Sequence, residues 1–296
     1  MLGFPATFKT IYMKKNNFLL SILLLQCAGL WAQSAQDSIT IANVEWEIHS
    51  IEKGIVHKRA HFSELYGGAQ YVNIVEVDLK AKGYKTGVVT PDTCQITSQM
   101  AIENNAIVAI NGSYYDDIKT GKSTCYYRVG KTVIDTTKTS EWFRVTGALT
   151  INRGKVTLMP WNKEIETAYN GRGTTLASGP LMIYNGKYHD LCTTDVSFGV
   201  RKHPRSAIAL TNDRRMLLVV VDGRFPEQAE GMSIKELAHF LKMLNSDTAL
   251  NLDGGRSTTL WSSKEPGNGV LNCPAANKKF DQFGERLNAN SIVVYK

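Results

Sequence analysis

Two aspartates carry the chemistry this sequence offers. Asp222 closes the apolar run Met216-Leu217-Leu218-Val219-Val220-Val221 and is followed by Gly223-Arg224. Asp253 closes Ala249-Leu250-Asn251-Leu252 and is followed by Gly254-Gly255. Two carboxylates roughly 5–10 Å apart can cleave a glycosidic bond, one as acid and the other as nucleophile or base. The groups around them suit an anionic, hydroxyl-rich ligand. Arg205 opens one apolar strand and Arg224 follows Asp222; a guanidinium fork grips phosphate through two parallel bonds. Gly254 and Gly255 allow close backbone approach, and successive N–H groups there can form an anion-binding nest. Ser257 and Thr258 add hydroxyls. Asn111-Gly112 ends the run Ala106-Ile107-Val108-Ala109-Ile110 and brings an amide for sugar hydroxyls or phosphate, with Tyr114 and Tyr115 beyond it as stacking rings. Asp222 and Asp253 are the expected catalytic residues. Asn111, Gly112, Arg205, Arg224, Gly254, Gly255, Ser257 and Thr258 are the expected substrate contacts.

A strand, a helix and a second strand must position the acids. The unbroken apolar run before Asp222 fits a strand covered on both faces. Ser233-Ile234-Lys235-Glu236 has the form of a capping box, and Ile234, Leu237, Ala238, Leu241 and Leu244 make one helical stripe. Such a unit returns as a right-handed crossover with parallel strands, so both aspartates stand at one sheet edge, where α/β sheets bind ligands. Neighbouring strands lie about 4.8 Å apart, and one intervening strand doubles that. Elsewhere, strands are expected at 44–48, 71–79, 106–110, 206–210 and 291–295, and a short helix over 100–104 starting near Thr97 or Ser98. Hairpins are expected around 152–154 and at Asn185-Gly186, a pair suited to a type I′ turn. The expected fold is α+β: a mixed β-sheet core with a β-α-β crossover in the C-terminal half and flanking helices.

Of the 296 residues, 43% are hydrophobic, which excludes disorder and gives ample material for a core. The formal charge is +7, but Lys9, Lys14 and Lys15 stand in a leader without acids, leaving +4 beyond it. That surplus is too small and too dispersed to argue for nucleic acid. Met13-Lys14-Lys15 and the apolar residues 18–25 read as a secretory signal, too short to span a bilayer. The expected organisation is a signal peptide over 1–34 (with Met13 an alternative start), an N-terminal elaboration over 35–70 and one domain over 71–296. The protein is expected to be exported, to the periplasm, the cell surface or the medium, with no integral membrane segment after signal removal. Cys27 raises lipidation, though Gln26 before it favours plain secretion. Cys94, Cys125, Cys192 and Cys273 allow three disulfide pairings or none. The six histidines show no metal-ligand spacing, and His239 falls in the crossover helix as a structural residue. No cofactor is expected, and no pattern supports a structural divalent cation.

At these residues the sequence resembles the phosphodiester glycosidase family. The matching pieces are Ala109-Ile110-Asn111-Gly112, Ser178-Gly179-Pro180-Leu181, Pro204-Arg205-Ser206-Ala207-Ile208 and Leu218-Val219-Val220-Val221-Asp222-Gly223-Arg224. Gly231-Met232-Ser233 with Glu236-Leu237-Ala238, then Asn251-Leu252-Asp253-Gly254-Gly255 and Gly284-Glu285-Arg286 with Asn290, complete the set in the family's order. The resemblance implies hydrolysis of the bond between an N-acetylglucosamine-like sugar and a phosphodiester, in a cavity that includes the residues named above. The chain departs from the family pattern at Arg256, where a third glycine is usual, and at Ser113-Tyr114-Tyr115, where Gly-Phe-Phe is common. A phosphorylated sugar or glycan is the expected partner. A metal-dependent phosphodiesterase and a non-catalytic glycan-binding protein are the alternatives.

Overall fold

The structure, a computed structural model, describes residues 35–116 and 121–296. The expected signal peptide, the alternative start at Met13 and Cys27 lie outside the described residues. The chain divides into two compact units, Met1–Asn43 and Val44–Lys296. In the first, residues 35–42 are helical.

The second unit is built mainly of strands. In chain order they begin β1 (Glu47–Glu52), β2 (Ile55–Phe62), β3 (Gln70–Asp78), β4 (Lys85–Val89), β5 (Val108–Asn111), β6 (Tyr127–Val129) and β7 (Thr132–Asp135). There follow β8 (Gly147–Asn152), β9 (Lys155–Pro160), β10 (Thr174–Ser178), β11 (Leu181–Tyr184) and β12 (Lys187–Tyr188). The last are β13 (Arg205–Thr211), β14 (Arg215–Val221), β15 (Ser246–Asn251), β16 (Leu260–Ser262) and β17 (Ser291–Tyr295). Among the described residues of this unit three α-helices interrupt them: α1 (Thr97–Glu103), α2 (Lys163–Ala168) and α3 (Ile234–Met243).

An eight-stranded sheet runs β1-β2-β3-β14-β13-β15-β11-β12, beside a five-stranded sheet β7-β6-β10-β8-β9 and a four-stranded sheet β16-β5-β17-β4. The class is α+β. Apolar side chains from all three sheets meet in one core, with Val75, Ile110, Leu149, Ile208, Leu218 and Leu250 among them. The hairpins form as their turn residues dictate. Asn152 pairs with Lys155 across Arg153-Gly154, and Tyr184 pairs with Lys187 across Asn185-Gly186, whose φ values of 50° and 70° are those of a type I′ turn.

The crossover is present with one strand interposed. β14 and β15 each pair antiparallel with β13, so they run parallel to each other without touching. α3 packs against β15 and β11 with Ile234, Leu237, Ala238 and Leu241 buried, and its capping box is complete: Glu236 N donates to Ser233 Oγ at 3.2 Å and Ser233 N to Glu236 Oε2 at 2.7 Å. Because β13 runs against its neighbours, it begins at the edge where they end: Arg205 lies opposite Val221, and Ala207 opposite Asn251.

Residues 47–62, within the expected N-terminal elaboration, form the β1-β2 hairpin on the margin of the large sheet. His57 on β2 is buried against β3, with Nε2 2.9 Å from Asn73 Oδ1. Burial holds its pKa below the ordinary 6.5. As pH falls through that value the unfolded chain takes up the proton before the folded one does, so this contribution is intact above about pH 6.5 and is lost below it. Thermal unfolding of wild type and His57→Gln at pH 7 and pH 5 checks this: the variant is expected to lose less stability over the interval, and an equal loss would show that His57 does not titrate with unfolding.

Candidate active site

The sheet edge opens into a cavity of about 310 Å³. Asp253, Gly254 and Gly255 line it together with Arg205, Arg224 and His203. Tyr114, Phe143, Arg144, Ser197 and Phe198 complete the lining.

Asp253 is positioned by backbone on both sides. Its N–H donates to Gly112 O at 2.9 Å and its carbonyl accepts from Asn111 Nδ2 at 2.6 Å, while Leu252 N reaches Ser206 O at 2.9 Å. The carboxylate accepts from Gly254 N at 2.9 Å. Burial raises its pKa; Ser257, Arg144, Arg286 and the Gly254 N–H oppose that rise. The Ser257 hydroxyl acts on Asp253 by proximity, without good hydrogen-bond geometry.

Arg205 is 2% exposed. Nε donates to Met232 O at 2.8 Å, and Nη2 to Phe198 O at 2.6 Å and Arg201 O at 3.1 Å. Burial pulls its pKa down to about 10, which leaves it charged at neutral pH. Among the described residues neither Arg205 nor Arg224 enters an ion pair, so the cavity wall holds positive charge without a protein counter-ion. Arg224, with φ at 68°, lays its guanidinium across Gly255. A Cβ on Gly255 would stand 3.1 Å from Arg224 Nη2 and push the guanidinium by a few tenths of an ångström, and φ there is 64°, in the left-handed region that favours glycine.

The remaining expected contacts do not line the cavity. Asp222, expected to share the pocket with Asp253, does not line it. It stands at the same edge, but its carboxylate is 1% exposed, with Oδ1 accepting from Asn272 Nδ2 at 2.8 Å and Oδ2 from Cys273 N at 3.0 Å. Desolvation pushes its pKa up to about 6 against these two bonds. Asn111 spends its amide on the protein, since besides donating from Nδ2 to Asp253 O it accepts at Oδ1 from Ser206 Oγ at 2.7 Å and Thr259 N at 3.1 Å. Gly112 is packed so closely on Asn290 that a Cβ would fall 1.9 Å from Oδ1. Ser257 and Thr258 are buried beneath the loop. The expected anion nest is also spent, with Gly254 N on Asp253 and Gly255 N on Pro204 O at 2.8 Å.

Sequence reasoning missed Arg144, Phe198 and His203. His203 Nε2 lies 2.8 Å from Ser197 O, and burial with the neighbouring arginines depresses its pKa, so the ring is neutral at pH 7. Tyr114 was foreseen as a stacking ring for sugar; instead Arg144 covers it at 3.8 Å from the ring centroid. Cys125, Cys192 and Cys273 carry free thiols, each pushed up to about 12 chiefly by burial. His239 is held by Tyr66 OH, 2.6 Å from Nδ1.

A family model for phosphodiester glycosidases matches residues 104–295, a span that includes every wall of this cavity. The chain belongs to the phosphodiester glycosidase family. The fold agrees with solved members and neighbours. The catalytic domain of zebrafish N-acetylglucosamine-1-phosphodiester alpha-N-acetylglucosaminidase, auto-inhibited by its pro-peptide, superposes with a TM-score of 0.63 at 18% identity, covering 85% of this chain and 88% of that one. A hypothetical protein from Synechocystis superposes with a TM-score of 0.56 at 17% identity, covering 84% and 63%. No curated protein matches the sequence. Among the described residues no helix is long and apolar enough to cross a membrane, and no three His, Cys, Asp or Glu side chains gather as metal ligands.

Proposed function

We propose that this chain is an exported hydrolase that cleaves the sugar–phosphate bond of sugar-1-phosphodiesters of the N-acetylglucosamine type. The observation that carries this reading is the charge of the cavity: Asp253 is the one carboxylate among the described lining residues, and it shares the lining with the unpaired cations Arg205 and Arg224. A glycosidase acting on a neutral aglycone needs a second carboxyl group to protonate the leaving oxygen. A phosphodiester leaves as a weakly basic phosphate, which arginines can stabilise without giving up a proton. One carboxylate is then enough, to stabilise the cationic anomeric carbon and either attack it or take a proton from water.

In balance, the C1–O bond breaks, its electron pair leaves with the phosphate, water oxygen bonds to C1, and the water's proton passes to the medium. Family membership and the zebrafish enzyme's named substrate support the sugar class, and the charged, then apolar character of residues 14–25 supports export. Hydrolysis of a sugar-1-phosphodiester in ¹⁸O-labelled water tests the reaction. The label is expected in the sugar. Label in the phosphate would make the protein a phosphodiesterase, and tight sugar binding without turnover would make it a glycan-binding protein.

A further inference from the structure

Arg144 is the best-immobilised cation in the cavity after Arg205. Its guanidinium carbon lies 3.8 Å from the Tyr114 ring centroid and 5.3 Å from those of both Phe143 and Phe198. Its platform is itself fixed: Tyr114 is 2% exposed, its hydroxyl donates to Gly179 O, and it accepts from Asn251 Nδ2 at 2.9 Å. Glu141, also buried, clamps one side, with Oε2 at 2.7 Å from Nε and 2.6 Å from Nη2. Nη1 takes no part in that clamp.

The sum of charges asks for such a donor. Glu141 pairs with Arg144, and Asp253 subtracts one more from the net charge of the three guanidinium groups, which leaves a net +1 for a monoanionic phosphodiester. When C1–O breaks the phosphate gains a second negative charge, and only contacts stronger in that state speed the reaction. A guanidinium already stacked and clamped meets that charge without reorganising. Resting on the reading above, we propose that Arg144 is a specificity-determining residue of this site, a fixed donor to the phosphate of the leaving group. Lysine is a poor replacement, because an ammonium neither stacks as a plane on Tyr114 nor spans Glu141 with two donors.

Titration of inorganic phosphate into the full chain by calorimetry, for wild type, Arg144→Gln and Arg144→Lys, reads the proposal without turnover. Phosphate affinity is expected to fall about ten-fold or more in both variants. In parallel, kcat/KM is compared on a sugar-1-phosphodiester and on the 4-nitrophenyl glycoside of the same sugar. The expected loss on the diester is about 10²–10³-fold, at least ten times the loss on the aryl glycoside. Should Arg144→Gln not fold, Arg144→Lys carries the test through its retained length and charge. Equal losses on both substrates with phosphate affinity unchanged would overturn the proposal and leave Arg144 a structural residue, as would a wild type that binds no phosphate. A wild type that binds phosphate but cleaves no diester would sink the reading of the reaction, while Arg144 as a phosphate donor would still be decided by the calorimetry.

Discussion

Asp253→Asn is expected to fold as the wild type does and to lose turnover of sugar-1-phosphodiesters by about 10²–10⁴-fold, the range for removing a group that handles charge or protons at the reacting centre. The amide preserves the structural contact, since an oxygen still accepts from Gly254 N at 2.9 Å, and the backbone bonds to Gly112 and Asn111 do not involve the side chain. What disappears is the negative charge. Purification, an unfolding curve and kcat on one diester are sufficient to check it. A variant retaining activity within ten-fold of wild type would remove Asp253 from the chemistry. Because burial raises its pKa above 3.8, the acid limb of the wild-type pH–rate profile is expected above that of an ordinary aspartate.

The largest loss of stability is expected from Asp222→Ala. The change strips the acceptor from two buried donors, Asn272 Nδ2 and Cys273 N, at about 1–3 kcal/mol for each group left unsatisfied. At roughly 2–4 °C per kcal/mol for a domain of this size, the melting temperature should fall by about 4–24 °C. Asp222→Asn keeps one acceptor and should lie between the two. The ionisation of Asp222 works against the folded state at neutral pH. Its folded pKa of about 6 exceeds the ordinary 3.8, so the protonated, folded form is favoured at low pH and that advantage is lost as pH rises through about 6. Melting curves at pH 4 and pH 7 should therefore show wild type losing more than Asp222→Asn. Turnover per folded molecule should survive in Asp222→Asn far better than in Asp253→Asn. Equal, complete inactivation of a folded Asp222→Asn would put Asp222 into the reaction despite its absence from the cavity lining.

Asp222 also shows where sequence stops being legible. The unit from 216 to 253 announces itself locally, through an unbroken apolar run, a capping box and one helical stripe, and each signal lies within a few residues of what it controls. Its parallel return followed from the crossover rule, whereas the interposed β13 did not. The direction of the Asp222 carboxylate is fixed by residues 272–273, fifty positions on, and nothing near 222 carries that information. The same distance hides Arg144, whose place depends on Tyr114 and Phe198, and whose own segment has no periodic pattern. β2 escaped notice because two of its buried positions are His57 and Ala60, which blur the alternation. The start of α1 was legible only roughly, since a first-turn N–H is served by a remote carboxylate, Glu285, accepting from Ser98 N at 3.0 Å.

One short strand has a consequence for how such a protein can diverge. Hydrogen-bonded ladders on both flanks of β13 fix the border along which positions 205, 222 and 253 are spaced, as rungs fix the width between rails. A lineage shifting to another substrate gains nothing by moving that border without tearing the sheet. Its freedom lies in the segments that reach the pocket from elsewhere, around 142–144 and 196–203. Innovation in this scaffold is therefore a matter of exchanging visitors at a frontier whose posts stay put.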